Sequence, residues 1–179
     1  MERKVNGVTI ECVRGDITKQ VGFDAIVNAA NAELRPGGGV AGAIHRAAGP
    51  ELYEECRPLA PIRPGQAVIT RGYKLPNRYV IHCLGPRYGI DEPARELLAS
   101  CYRNALRLAE EHGISSVAFP AISTGAFGYP LQEAAEVAIQ TVLEMVPELK
   151  SVRVIRFVLW DEEALRIHEE TLKRLVKEE

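Results

Sequence analysis

The chain has 179 residues, of which 46% are hydrophobic and 26% charged, the balance of a soluble globular protein with one core. Twenty-two Lys and Arg against 24 Asp and Glu leave a formal charge of −2, which excludes a nucleic-acid binder that depends on bulk positive charge. No apolar run approaches the roughly 20 residues that span a bilayer, and the N-terminal residues lack the pattern of a signal peptide. Four cysteines without metal-type spacing indicate reduced thiols, so we expect a cytoplasmic protein. The length fits one domain over residues 1–179, and we expect a monomer.

Strand and helix patterns alternate along the chain. The predicted strands cover, in chain order, residues 8–13, 25–30, 67–70, 79–84, 117–122 and 152–160. Helical patterns cover residues 40–48, and apolar stripes at helical spacing begin at Leu97, Leu131 and Ala164. The third and fourth strands leave no room for a helix between them, so we expect an antiparallel pair. The alternation predicts an α/β fold: a three-layer αβα sandwich around a mixed, mostly parallel sheet of about six strands.

Two loops rich in glycine follow predicted strands, where ligands bind in open α/β sheets. In the first, Gly37, Gly38 and Gly39 precede the helix that begins near Val40. Without Cβ atoms, the N–H groups of these glycines can approach a phosphate closely, and the helix directs the positive end of its dipole to the same place. A tight turn explains one glycine but not three in succession, so the pattern favours an anion site.

The second loop, residues 123–128, offers two hydroxyls, flexible backbone and the ring of Phe127 at another strand end. Two such loops would hold a diphosphate from both sides. The glycines at 37, 39 and 42 match the dinucleotide-binding pattern, but they do not directly follow the first strand as that fingerprint requires. No Gly-Lys-Ser/Thr follows them, which excludes a Walker A loop and with it ATP hydrolysis.

Four polar or aromatic residues beside these loops each have two interpretations. Asn28 and Asn31 suit sugar hydroxyls, because an amide both donates and accepts, but Asn also closes turns. Asp16 is typical of a helix N-cap, and it would also accept a hydrogen bond from an exocyclic amine such as that of adenine. Trp160 ends a predicted strand, where it either fills the core or stacks on a base.

Other chemistries find little support. The four histidines lack H-x-x-x-H spacing, so we expect no metal. A nucleophile pair of Cys56 and His45 is disfavoured, because Cys56 lies in a helical pattern at a position typical of a small apolar residue. We interpret the arginines of the first half as solvated surface charge and expect no nucleic-acid partner; they are Arg46, Arg57, Arg63, Arg71, Arg78 and Arg87.

Five motifs, in order along nearly the whole chain, resemble the macrodomain family of ADP-ribose-binding modules. They are GDIT at 15–18, DAIVNAAN at 24–31, GGGVAGAI at 37–44, VIH with Gly-Pro at 80–86, and FPAISTGAFG at 119–128. The resemblance implies that the ligand is ADP-ribose or an ADP-ribosylated protein, that no cofactor is needed, and that the chain has no membrane partner.

The resemblance also implies individual roles. Asp16 would accept a hydrogen bond from the adenine amine with the Ile17 backbone beside it, and Trp160 would stack on adenine. Asn31 would bind hydroxyls of the distal ribose, Phe127 would pack against that sugar, and Asn28 would brace the first loop. The remaining contacts would enclose the diphosphate through Gly37, Gly38, Gly39, Val40, Ser123, Thr124, Gly125, Ala126 and Phe127.

Activity within this family varies. Many members hydrolyse a bond at C1″ of the distal ribose or deacetylate O-acetyl-ADP-ribose, whereas others only bind. Ala41 stands where related hydrolases carry Asp in a GGVDG loop, although some active relatives also read GGVAG. The resemblance therefore implies a slow ester hydrolase with Asn31, Gly39 and Phe127 at its catalytic centre, in which a phosphate oxygen lies near the attacking water. The alternative is a non-catalytic ADP-ribose reader.

Overall fold

A computed structural model describes residues 1–177 of the chain. The strands are β1 (Glu2–Val5), β2 (Val8–Arg14), β3 (Ala25–Ala29), β4 (Ala67–Arg71), β5 (Tyr79–Cys83), β6 (Ser116–Phe119) and β7 (Val154–Leu159). The helices are α1 (Gly39–Ala48), α2 (Glu51–Cys56), α3 (Ala94–Glu111), α4 (Leu131–Met145) and α5 (Glu162–Leu175). Over the described residues, none of these helices combines the length and apolarity that crossing a membrane requires.

The strands form one mixed sheet in the order β1-β2-β7-β6-β3-β5-β4. Strands β2, β7, β6, β3 and β5 are mutually parallel, and β1 and β4 pair antiparallel at the two edges. The antiparallel pairing of β4 with β5 confirms the prediction made from their short separation.

The sheet has seven strands within residues 1–177, one more than the roughly six that were individually predicted. The added strand, β1, carries charged side chains and alternates between exposed and half-buried positions, so its hydrophobic pattern is weak. It pairs with β2 through the turn at Asn6 and Gly7, whose φ angles of 47° and 81° are typical of a two-residue hairpin. This Asn-Gly pair was the sequence signal for the hairpin.

Two hydrophobic clusters cover the two faces of the sheet and confirm the three-layer architecture. On one face, α3, α4 and α5 pack inward through residues such as Leu106, Val142 and Leu172. On the other, α1 and α2 pack through Ile44 and Leu52. Because both faces are covered, the central strands are apolar on both sides, and ligands can approach only at the ends of the strands.

A buried histidine links β3, β4 and β5. The side-chain amide of Asn28 donates to Nδ1 of His82 at 3.0 Å, so the neutral ring carries its proton on Nε2 and donates it to Oγ1 of Thr70 at 2.9 Å. Burial, with a smaller contribution from the nearby His45, lowers the pKa of His82 to about 3. The charged ring is therefore strongly disfavoured in the folded protein.

We expect acid to destabilise this fold as the pH falls from 6.5 towards 3. An unfolded histidine binds its proton near pH 6.5 whereas native His82 does so only near pH 3, so the unfolded state binds more protons within that window. For this group alone, the unfolding free energy drops by about 2 kcal/mol between pH 7.5 and pH 5. Urea unfolding at both pH values measures the drop. His82→Gln should make this drop in unfolding free energy smaller, whereas His112→Gln, at an exposed position, serves as the control and should leave it unchanged. An equal drop in the two variants would contradict the assignment of this pH dependence to His82.

Candidate functional site

A cavity of about 380 Å³ opens at the carboxyl edge of the sheet, between the ends of β3 and β6. It brings together both glycine-rich loops. The predicted ligand contacts that line it are Asn31, Gly37, Gly38, Gly39, Val40, Ser123, Gly125, Ala126 and Phe127. Other parts of its wall are Ala29, Ala30, Ala41, Gly85, Ala121 and Ile122.

The start of α1 supplies free hydrogen-bond donors to this cavity. Gly38 is the N-cap, and the first bond of the helix runs from the N–H of Gly42 to the carbonyl of Gly38 at 3.2 Å. The N–H groups of Gly39, Val40 and Ala41 therefore have no acceptor within the helix. Together with the helix dipole, these donors form a site suited to an anion.

Two glycines shape this first loop. A Cβ on Gly42 would lie 2.2 Å from the carbonyl oxygen of Gly37, so the loop can fold onto the first helical turn only when position 42 has no side chain. Gly39 has a φ of +56°, a backbone conformation that favours glycine. A Cβ on Gly39 would meet no atom within 4 Å, which leaves space at the helix start.

The second loop offers further donors. Within residues 1–177, the N–H groups of Gly125, Ala126 and Phe127 donate no hydrogen bond to the protein. Ser123 has a φ of +69° and is buried, and its Oγ atom has no hydrogen-bond partner. Strained backbone and an unsatisfied buried hydroxyl both cost stability, and such features are concentrated at functional sites.

The sequence analysis missed Gly85 as part of the site. A Cβ on this residue would lie 2.1 Å from Oγ of Ser123 and 2.6 Å from a methyl group of Ile122. Glycine at the end of β5 therefore allows the second loop to sit against that strand. The Gly-Pro pair at 85–86 was the available signal, but only the fold shows which loop it contacts.

Ser123→Ala is expected to weaken ligand binding without weakening the fold. A hydroxyl that bonds a phosphate contributes about 1.5–3 kcal/mol, so the dissociation constant rises about tenfold or more. Because this Oγ has no partner in the free protein, its removal should leave the unfolding free energy unchanged or higher. Calorimetric titration and urea unfolding measure the two quantities. The control Ser115→Ala, which removes a 2.8 Å bond to Asp24, should show the opposite pattern.

Asn31 lines the cavity with its side chain already oriented. Its Nδ2 donates to the carbonyl of Arg35, and its Oδ1 accepts from the N–H of Arg35, both at 2.9 Å. The first bond uses one of the two N–H groups and the second uses one of the two oxygen lone pairs, so one N–H and one lone pair remain for a sugar hydroxyl. Asn28 differs: it is 1% exposed and bonds His82 inside the sheet.

Asp16 and Trp160 lie outside the cavity wall, beyond the ends of β2 and β7. The pairing of Arg14 with Leu159, and a 2.9 Å bond from the N–H of Gly15 to the carbonyl of Leu159, place the two segments side by side. Trp160 is 73% exposed, so its interpretation as a core residue is wrong. The two predicted adenine contacts therefore lie beyond the carboxyl ends of β2 and β7, at the same end of the parallel strands as the cavity.

Asp16 forms the predicted N-cap. Its Oδ1 accepts from the N–H and the hydroxyl of Thr18, at 2.9 and 2.7 Å, and caps the short 3₁₀ turn Ile17–Lys19. These bonds lower the pKa of Asp16 and keep the carboxylate ionised. Ile17 is buried in the hydrophobic cluster beneath α1. Thr124 does not line the cavity, and its hydroxyl bonds the carbonyl of Ala121 at 3.3 Å.

No nucleophilic cysteine faces the cavity within residues 1–177. Cys56 is buried, and its sulfur lies 3.8 Å from Nε2 of His82. Burial raises the pKa of the Cys56 thiol to about 12, so the reactive thiolate is not populated near neutral pH. The polar groups in the wall of the cavity are backbone amides, the side-chain amide of Asn31 and the hydroxyl of Ser123.

Comparison with known proteins identifies similar sequences. The family model described as "Macro domain" matches residues 27–138. The chain is 49% identical over 168 residues to an O-acetyl-ADP-ribose deacetylase of Citrobacter rodentium, covering 91% of this chain and 94% of that protein. It is 48% identical over 164 residues to a Salmonella typhimurium protein of the same name, covering 89% and 91%.

Solved structures agree with this similarity. A macrodomain of Oceanobacillus iheyensis with ADP superposes with a TM-score of 0.94 at 44% identity, covering 98% of this chain and 95% of that chain. A Trypanosoma brucei macrodomain in complex with ADP-ribose superposes with a TM-score of 0.85 at 38% identity, covering 91% and 68%.

Proposed function

The chain belongs to the macrodomain family, and from this premise we propose that it binds ADP-ribose and hydrolyses the C1″-linked ester of mono-ADP-ribosylated proteins or O-acetyl-ADP-ribose. The observation that carries the proposal is the convergence of two loops on one cavity. Unpaired N–H groups at the start of α1 and in the second loop line the same 380 Å³ space, as a diphosphate requires. Relatives named as deacetylases and a structure with ADP-ribose support the choice of ligand.

The carboxyl edge of the sheet supports the proposed orientation. The adenine would lie at the ends of β2 and β7, where the ionised carboxylate of Asp16 accepts its amine and the exposed ring of Trp160 stacks on its face. The diphosphate would occupy the cavity between β6 and β3, and the distal ribose would lie between Asn31 and Phe127. All five parallel strands end at this edge, so one extended ligand can contact each of these groups.

The proposed reaction relies on position rather than on a protein base. The two loops bend the diphosphate so that one of its oxygens lies near a water molecule at C1″, and Asn31 and the backbone at Gly39 orient that water. The water attacks C1″ while the C1″–O bond of the ester breaks; the water's proton passes to the neighbouring diphosphate oxygen and from there to solvent, and the departing carboxylate is stable without protonation. Such alignment contributes about 7 kcal/mol or more to barrier lowering when it is good.

One observation favours the second candidate, a reader that binds ADP-ribose without turnover. Ala41 lines the cavity and brings no carboxylate to it, so nothing in the wall removes a proton from water. Incubation with a glutamate-linked mono-ADP-ribosyl peptide separates the two functions. Release of free ADP-ribose above the Gly39→Glu background supports the hydrolase, whereas binding without release leaves the reader.

Binding itself is tested by calorimetric titration with ADP-ribose and with AMP. We expect clear binding of ADP-ribose and much weaker binding of AMP, because AMP lacks both the second phosphate and the distal ribose that the cavity would hold. Equal affinity for the two ligands would contradict the two-loop site, and the absence of any ADP-ribose binding would overturn the proposed function.

A further inference from the structure

A second cavity, of about 680 Å³, lies beside the second glycine-rich loop. The residues of its wall that carry chemistry are Tyr88, Glu92, Arg95, Tyr129, Glu133 and Glu136. The wall of this second cavity carries three carboxylates, two phenol rings and one guanidinium, so acidic groups outnumber basic ones. The first cavity, in contrast, is lined by amide hydrogen-bond donors.

The two cavities share a wall. The N–H of Tyr88 donates to the carbonyl of Phe127 at 2.8 Å, and the N–H of Tyr129 donates to the carbonyl of Ser123 at 2.9 Å. Phe127 and Ser123 line the first cavity, while both tyrosines line the second. The second glycine-rich loop is therefore the wall between the two cavities.

Tyr129 presents a phenol without a protein partner to this second cavity. The residue is 5% exposed overall, its phenol oxygen is not among the fully enclosed atoms, and within residues 1–177 it makes no hydrogen bond to the protein, so it is open to a partner in the cavity. The neighbouring ring of Tyr88 is 45% exposed, with its centroid 4.9 Å from that of Tyr129 and its plane tilted by 58°. A phenol oxygen that lacks a donor, beside an open aromatic face, points to a ligand that donates hydrogen bonds and packs flat.

The charges of the wall select a cation. Glu136 is paired with Arg174 at 2.7 Å, and Arg95 bonds the amide of Gln140 rather than a carboxylate. Glu92 and Glu133 are exposed and make no ion pair with a described residue; Glu92 accepts the N–H of Ala94 at 3.3 Å, and Glu133 accepts the hydroxyl of Tyr88 at 3.4 Å. Burial and the charge of Glu133 both raise the pKa of Tyr129, which keeps its phenol protonated and neutral.

We propose that this cavity holds an arginine side chain of the ADP-ribosylated protein, close in sequence to the residue that carries ADP-ribose. The inference rests on the proposed function, because the modified residue must lie at the open end of the first cavity. The proposed substrate is then a basic segment of protein that carries ADP-ribose, rather than an isolated ADP-ribosyl ester.

A guanidinium meets each requirement of the wall. It is planar and stacks on the exposed face of Tyr88, and its five N–H groups can donate to the phenol of Tyr129 and to Glu133. An anionic group would be repelled by the carboxylates, and an apolar side chain would leave the phenol oxygen without a donor.

The test uses peptides with one glutamine that carries ADP-ribose through an amide, a link chosen to resist ester hydrolysis. In one series, each peptide has a single arginine at one of the four positions on either side of the modified residue. In the matched series, neutral citrulline replaces that arginine. For at least one position, we expect the arginine peptide to bind about fivefold more tightly by fluorescence anisotropy, as an exposed cation–aromatic contact with a nearby carboxylate allows.

Glu133→Gln should abolish this preference. The matched control is Glu163→Gln, which removes an exposed carboxylate from the first turn of α5 instead of α4 and should keep the preference. Free ADP-ribose, titrated in parallel, should bind the wild type and both variants equally.

The outcomes separate the two claims. Equal binding of arginine and citrulline peptides at every position, with free ADP-ribose still bound, overturns the arginine site and leaves the proposed function standing. A preference that survives Glu133→Gln also overturns the site. A wild-type protein that binds neither peptide nor free ADP-ribose overturns both.

Discussion

Gly39→Glu is expected to lower the affinity for ADP-ribose at least about a hundredfold. The new carboxylate would enter the open space at the start of α1, where the proposed diphosphate lies. Two unit charges 4 Å apart near a protein surface repel by about 4 kcal/mol, and the side chain also blocks the free N–H groups beside it. Calorimetric titration with ADP-ribose measures the loss.

Backbone strain needs its own control, because Gly39 has a positive φ. Gly113 also has a positive φ, of +64°, and a Cβ there would meet no atom within 4 Å. It lies between α3 and the start of β6, at the amino ends of the parallel strands, whereas the cavity lies at their carboxyl ends. Gly113→Glu should therefore cost similar stability and leave binding intact. Comparable loss of affinity in both variants would mean that strain, rather than the anion site, explains the effect.

Ala41→Asp is expected to raise the rate of ester hydrolysis at least about tenfold. Ala41 is the third residue of α1 and lines the cavity, so an aspartate there brings a general base close to the proposed water. The helix start tolerates the charge, because its dipole favours an anion there. The same charge repels the diphosphate, so we expect kcat to rise while the affinity for ADP-ribose falls.

Single-turnover release of ADP-ribose from a glutamate-linked peptide measures this gain. Ala41→Asn supplies the same shape without a base and should give no increase. A wild-type rate equal to that of Ala41→Asp would contradict the view that the missing carboxylate limits the proposed hydrolysis.

Much of the architecture follows from local patterns in the sequence. The long helices carry apolar residues at helical spacing, and the parallel strands are short apolar runs bounded by turn residues. The predicted boundaries agree with those in the structure within a few residues. The first glycine-rich loop was identifiable because three successive glycines before a helix have few structural explanations, and the second because its hydroxyls and glycines follow a predicted strand. Strand β1 was missed because its burial is partial and its side chains are mostly charged, so the hairpin turn was its main signal.

Other features depend on neighbours that are distant in the sequence. Trp160 is exposed because β7 ends beside β2, and no periodicity within residues 152–160 distinguishes that from a core position. The unpartnered hydroxyl of Ser123 and the contact of Gly85 with the second loop exist only once β5 and β6 lie on either side of β3.

The amino-acid sequence by itself determined the type of each main element, the layered α/β class and the two loops whose amides are free. The tertiary structure alone decided that these loops share one cavity, that Asn28 is enclosed while Asn31 is accessible, and that an acidic, aromatic cavity lies behind the second loop. The physical reason is range: side-chain spacing and backbone preference act over a few residues, whereas a binding site is made by strand order, which joins residues about a hundred positions apart.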